Sequence, residues 1–270
     1  MRHRSHIKLV IAGLAVRLDA QSTFEAVSVK RNNSGEQPAR IQIQPGGRFM
    51  AMNVPVRMII MRAYAQEDFQ IVGGPAWMNS ARFDISAKAA TSASAEQLSS
   101  MLRSLLAERF RFSSHRETRD LPRYVLVVAK KDGRLGPSLR RSDVDCDAIA
   151  AAAAGKDGGP PALSAGESPP CSIAAGGFGL GHWAARDKPW PDIAASLSKL
   201  IGRTVVDGTG LKGSFSADLN WSPDQATQDP DPNGPSIFTA IEEQIGLRVE
   251  SRKGPVEVRV IDRMELPTEN

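Results

Sequence analysis

Cysteine and histidine are scarce in this chain: two of the first and four of the second in 270 residues. His3 and His6 lie at the start, which leaves His115 and His182 for the rest. No histidine stands near Cys146 or Cys171 at zinc-ligand spacing, so no metal site is expected. The signatures of common enzyme classes are also missing. There is no G-x-S-x-G, the sharp turn that presents a serine nucleophile, and no G-x-x-x-x-G-K-[ST] to cradle a phosphate. Gly176–Gly181 is glycine-rich, but it lacks dinucleotide spacing and does not follow a strand, so no cofactor is expected. No apolar run is long enough to span a bilayer.

Excess charge is missing too, once its location is considered. The net charge is +4. Four of the 34 basic residues and one of the 30 acidic ones lie in Met1–Ala20, so the remainder carries 30 against 29. That balance excludes a basic footprint for nucleic acid. The same first segment reads as an export signal. Arg2, Arg4 and Lys8 precede the apolar run Leu9–Val16, and Leu18-Asp19-Ala20 stands where cleavage is expected before Gln21. Arg17 and Asp19 depart from a clean signal. The expected location is the periplasm or outside the cell. In that setting Cys146 and Cys171, flanking an Ala/Gly/Pro-rich stretch, read as a disulfide.

What the chain does contain is a repeated pattern. Pro55 aligns with Pro189, Val72 with Val206 and Gly74 with Gly208, all at one offset, and Phe83 aligns with Phe215 after a slip of two. In each copy an apolar helix is followed by a short strand, a Gly turn, an alternating strand, a helix and a closing strand. Such self-similarity points to two related modules. Helical periodicity is clear in Val56–Tyr64, Ser94–Phe110, Pro191–Ile201 and Ile237–Ile245. Asn53 is read as the cap of the first helix, Ser94 and Ser236 as caps of later ones, and Gly202 and Gly246 as stops. Period-two alternation marks strands at Phe24–Lys30, Ile41–Gln44, Arg48–Met52, Phe69–Val72, Arg82–Lys88, Arg111–Glu117, Tyr124–Ala129, Thr204–Asp207 and Ser214–Trp221. Leu247–Glu250 and Val256–Ile261 read as a hairpin around Lys253-Gly254-Pro255. The expected fold class is α+β, two pseudo-repeated modules, each a mixed β-sheet with helices packed on one face. The expected domains are a signal-like segment 1–20, a first module 21–135, an Ala/Gly/Pro-rich linker 136–175 and a second module 176–270.

Few residues suggest chemistry. His115 and Glu117 stand two apart on one strand face, where general acid–base work and ordinary cross-strand charge pairing are both open. His182 precedes Trp183 at the entry to the second module. Asp207-Gly208-Thr209-Gly210 offers one carboxylate, too few oxygens for calcium, and reads as a tight turn. Trp77 follows Gly73-Gly74-Pro75, placed either in the core or as a recognition aromatic. No catalytic residue is assigned. Trp77, His115, Glu117, His182 and Asp207 are candidate binding residues.

Several strings in order carry a family resemblance: Phe24–Asn32, Gly46-Gly47-Arg48-Phe49, Gly73–Trp77, Leu106–Phe110, Val205–Gly213, Gly234-Pro235-Ser236 and Gly254–Val258. Over Phe24–Asn270 the chain resembles a soil-associated acidobacterial family of uncharacterised exported proteins, domain of unknown function 3738. The resemblance implies export and names no activity or catalytic residue. Some relatives are fused behind a membrane-bound metallopeptidase of the antibiotic-sensor type, which implies extracytoplasmic sensing or binding. The stretch from the second module's first helix, through the helix ending in Ile245-Gly246-Leu247, to the closing strand is similar to the short N-terminal module of secretins and TonB receptors, which implies protein contacts in the periplasm. The expected function is a non-enzymatic binding or sensing module of the cell envelope, its partner an envelope protein or small ligand. The alternative is a hydrolase or other enzyme with a site between the modules, drawing on His115, Glu117, His182 or Asp207.

Overall fold

The structure is a computed structural model. It describes residues 23–35, 37–44, 46–146, 148–149, 169–175, 181–223 and 234–267. The signal-like segment, half of the expected linker, nearly all of the glycine-rich lead-in and most of the loop after Ser222 lie outside the described residues.

The fold is α+β, as the alternation of periods predicts. Two compact units divide the chain: Met1–Ala65 with Pro75–Ser113 and Arg263–Asn270, and Gln66–Gly74 with Ser114–Asp262.

The first unit holds a four-stranded antiparallel sheet. Its strands are β1 (Ala26–Asn32), β2 (Arg40–Gln44), β3 (Arg48–Pro55) and β5 (Arg82–Lys88), in the order β1-β5-β3-β2. Period two puts Val29, Phe49, Ala51, Phe83, Ile85 and Ala87 on one face, all buried. They share a core with α1 (Val56–Tyr64), the one-turn α2 (Trp77–Ser80) and α3 (Ala95–Phe110). Leu98, Leu102, Leu105 and Leu106 recur at helical spacing and are all buried. Phe110 meets Phe83 edge to face, ring centroids 5.4 Å apart. Ser94 caps α3: its hydroxyl accepts from the Gln97 amide, and the Gln97 side chain returns to the Ser94 amide.

The second unit holds two sheets. One has the order β10-β6-β12-β4, with β4 at Ile71–Gly73, β6 at Ser113–Val128, β10 at Val205–Asp207 and β12 at Leu247–Arg263. The short strands pair across the repeat. β4 of the first copy runs parallel to β12 of the second, and β10 of the second runs parallel to β6 of the first. The other sheet is antiparallel, order β7-β11-β9-β8, from β7 (Leu139–Ser142), β8 (Ile173–Ala175), β9 (His182–Pro189) and β11 (Ser214–Asn220). Helices α4 (Trp190–Ile201) and α5 (Ile237–Ile245) close its core around Trp183, Trp190, Phe215, Leu197 and Ile241, each fully or almost fully buried. Ser236 caps α5, and Gly202 and Gly246 end α4 and α5 in the left-handed region. Cys146 and Cys171 form a disulfide, tying the chain after β7 to the chain before β8.

Four local expectations are corrected. Asn53 does not cap α1; Pro55 holds the cap position and no side chain bonds there, because Asn53 sits in a β-bulge. Strands β7 and β8 occupy the two ends of the expected linker, since β11 and β9 supply ladders that a periodicity search cannot see. Arg111–Glu117 and Tyr124–Ala129 are not two strands: β6 is continuous over sixteen residues, through Pro122. Leu247–Ile261 is not a hairpin: β12 is continuous over seventeen residues.

Both continuities have a hydrogen-bonding reason. The Tyr124 amide donates to the Thr204 carbonyl, and the Leu126 carbonyl accepts from Gly208. Even-numbered residues of β6 therefore turn their backbone groups toward the β10 side, where Pro122 has no strand neighbour and loses no ladder bond. On β12 the Glu257 carbonyl accepts from Gln70, beside β4. Pro255 shares that parity and lies beyond the paired stretch of β4. Gly254 belongs to the same accommodation. A Cβ there would fall 2.4 Å from Arg123 Nε, and across this gap Arg123 reaches the Pro255 carbonyl at 3.3 Å.

Candidate functional site

The sheet centred on β6 and β12 gathers more of the expected polar residues than any other element. His115 and Glu117 project from β6 on one face, as their spacing predicts. Strand β12 adds Asp262, whose Oδ1 lies 2.7 Å from His115 Nδ1. Glu117 Oε2 lies 3.9 Å from His115 Nε2 and accepts from Arg119 at 2.9 Å. The Arg119 hydrogen bond holds the Glu117 carboxyl below the usual carboxylate range, against a smaller opposing effect of desolvation. On the neighbouring strand position Arg116 pairs with Glu257 at 3.7 Å. These side chains are between a third and two thirds exposed. The arrangement is a solvated ladder of alternating charge that can orient an approaching polar chain. Among the described contacts, His115 meets the carboxylates of Asp262 and Glu117 and no hydroxyl.

The remaining candidates stand elsewhere. Asp207 ends β10 and is committed to its turn: Oδ1 accepts from the Thr209 amide at 2.9 Å and the Thr209 hydroxyl at 2.7 Å. Burial opposes ionisation of Asp207. The Thr209 hydroxyl bond, the nearby Trp190 indole N–H and the Thr209 amide bond outweigh it and lower the pKa. The indole N–H of fully buried Trp190 is held near this carboxylate without the geometry of a full hydrogen bond. Gly208 follows because β10 passes close to β6; a Cβ there would sit 2.7 Å from Val125 Cγ1 and 2.8 Å from the Leu126 carbonyl. His182 opens β9 opposite Asn220 and is exposed. Trp77 is half-buried and meets Phe83 edge to face. No described contact joins His182, Asp207 or Trp77 to the His115 ladder. Among the described residues no group of three or more His, Cys, Asp or Glu is arranged to hold a metal ion.

The second feature of β6 is its open side. Strand β10 covers it only at Tyr124–Leu126. Over Ser114–Arg123 the sheet order gives β6 no strand neighbour on that side among the described residues. The even positions Arg116, Thr118, Asp120 and Pro122 are exposed there. Such a row of backbone groups is a template for another strand.

A family model now bears on this arrangement. The model described as a protein of unknown function, DUF3738, matches residues 57–264, which hold part of the first unit, all of the second and every strand of the β6–β12 sheet. The chain belongs to the DUF3738 family. No curated protein and no solved structure matches it.

Sequence reasoning missed three functional-scale features of this DUF3738 chain. Asp262 is separated from His115 by the length of the second unit, so only strand pairing reveals it. The open edge of β6 follows from the shortness of β10. The third is a pair of polar bulges, and these did leave a signal: Asn53-Val54-Pro55 and Asp187-Lys188-Pro189 share the offset that aligns the two prolines. Asn and Asp are the non-glycine residues that most readily take positive φ.

Proposed function

We propose that this chain is an exported binding module of the cell envelope that takes an extended segment of a partner protein along the open edge of β6. One observation carries the reading: among the described residues, a sixteen-residue strand is covered on its β10 side for three residues only. A docked segment would bond the outward backbone groups of Arg116, Thr118 and Asp120, and the charge ladder would select its side chains. The disulfide between Cys146 and Cys171 suits an oxidising compartment, and no helix of the described residues is long and apolar enough to cross a membrane. Likeness to the secretin and TonB-receptor short module, and to a soil acidobacterial family of exported proteins, points the same way, toward protein contacts in the periplasm.

The test is selection of linear peptides from a displayed library, followed by amide exchange on the complex. Selected peptides should protect Arg116, Thr118 and Asp120. Thr118→Pro, which removes one outward donor and no bond to β12, should abolish their binding. Peptides that bind equally to Thr118→Pro, or that protect another element, would sink the reading.

A further inference from the structure

We propose that β2 is a self-pairing edge, through which two copies of this chain join antiparallel about Gln42 into one continuous sheet. This surface belongs to the first unit and is independent of the β6 edge.

β2 closes the β1-β5-β3-β2 sheet and, among the described residues, pairs only with β3. Cross-strand partners share a face. Ile41 stands opposite Ala51 and Ile43 opposite Phe49, and both partners are buried at 1% and 0% exposure. Ile41 and Ile43 therefore point to the core side of the sheet. Yet Ile43 is 47% exposed. An isoleucine on the core face, bare at the sheet boundary, is where a further strand would continue the core.

The opposite edge is defended. β1 carries Lys30 and Arg31, and Arg109 of α3 donates to the Val27 carbonyl at 3.2 Å. Charges and side-chain caps of this kind block strand addition. β2 has one charge, Arg40, at its end.

The occupant follows from the strand's own sequence, Arg40-Ile41-Gln42-Ile43-Gln44. Paired antiparallel with itself about Gln42, it sets Ile41 against the partner copy's Ile43, Gln42 against Gln42 and Arg40 against Gln44. All four isoleucines share the core face, and no like charges oppose each other. An isologous contact requires such self-complementarity. Five residues, bounded in sequence by Pro38 and Pro45, limit the ladder, so the dimer is weak and concentration-dependent.

The test is sedimentation velocity of the full chain over a concentration series reaching millimolar, for the native protein, Gln42→Lys, Gln42→Glu and an equal mixture of the two variants. Gln42 is exposed, so both variants should melt with the native protein. The native chain should dimerise. Each variant places like charges directly opposite and should weaken the dimer by about fivefold, and the mixture should restore it. Amide exchange at Ile41–Ile43 should slow as the native concentration rises. A native chain that stays monomeric overturns the proposal, whether those amides exchange freely or are shielded at every concentration by another part of the chain. Variants that dimerise as the native protein does, alone and mixed, overturn it as well.

Discussion

Asn53 and Asp187, which align in the sequence, do the same work in two different strands. Asn53 lies in β3 at φ 53° and Asp187 in β9 at φ 54°. In each case two residues face one on the neighbouring strand: Met52 and Asn53 opposite Asp84, Arg186 and Asp187 opposite Ser216. The Asn53 amide donates to Asp84 Oδ1 at 2.8 Å, and the Asp187 amide donates to Ser216 Oγ at 3.0 Å. A bulge turns the strand, and two residues later a proline starts the helix. The second copy adds to the theme. Ser142 and Ser216 hydroxyls both bond Asp187 Oδ1, at 2.7 and 3.0 Å, and Cys146 Sγ rests against the Asp187 carbonyl. A disulfide sulfur has no proton to donate, so this last is a close sulfur–oxygen contact.

The bulges predict a shared mutational signature. Asn53→Ala and Asp187→Ala should each destabilise by about 1–3 kcal/mol, because alanine is strained at positive φ and the side-chain bonds to the Gln37 carbonyl and to the Ser142 and Ser216 hydroxyls are lost. Asn53→Gly should lose less than Asn53→Ala. Urea denaturation of the three variants decides this, and equal stability of Asn53→Ala and Asn53→Gly would count against the backbone argument.

The disulfide closes a loop of sequence separation 25. Replacing both cysteines by serine should lower stability by about 3 kcal/mol through the wider unfolded ensemble. Reductant should lower the native melting temperature and leave the double variant unchanged.

Asp207 predicts a pH dependence. Its folded pKa is lowered, so it stabilises the fold above the ordinary aspartate value of about 3.9. That contribution is lost as pH falls through the folded pKa. Asp207→Asn should be less stable at neutral pH and lose less stability on acidification. Parallel acid limbs in the two melting profiles would contradict the assignment.

Two glycines should differ in tolerance. Gly208→Ala drives a methyl into the Leu126 carbonyl and Val125, and should destabilise by about 1–3 kcal/mol. At Gly254→Ala the atoms nearest the new methyl belong to the Arg123 side chain, which can swing away, so its effect should be smaller. Thermal melts of the pair give the order directly.

The open edge of β6 makes a prediction that needs no partner. Amides of Arg116, Thr118 and Asp120 face away from β12 and should exchange with solvent faster than those of Glu117 and Arg119. A uniform rate along Ser114–Arg123 would mean the edge is already occupied.

Much of the fold was legible locally. The stripe Leu98-Leu102-Leu105-Leu106 and the Ser94 cap specify α3 without help from other elements, since helical bonds close within four residues. The alternation at Arg82–Lys88 specifies β5 for the same reason. Pro122 and Lys253-Gly254-Pro255 misled, because breakers act on a strand through the side on which their backbone groups point. The His115 ladder was half legible: spacing placed Glu117 on its face, and nothing local marked Asp262.

The amino-acid sequence by itself determined helices α1, α3, α4 and α5, the Ser94 and Ser236 caps and the α+β class, because these depend on periods and dihedral preferences within a few residues. Tertiary structure alone decided which strands pair: that β4 joins β12 and β10 joins β6, that β7 and β8 complete a sheet from a stretch without periodicity, and that β2 and much of β6 have an unpaired side among the described residues. Strand pairing is a contract between distant backbones, whose amides and carbonyls are the same at every residue, so composition carries little record of it.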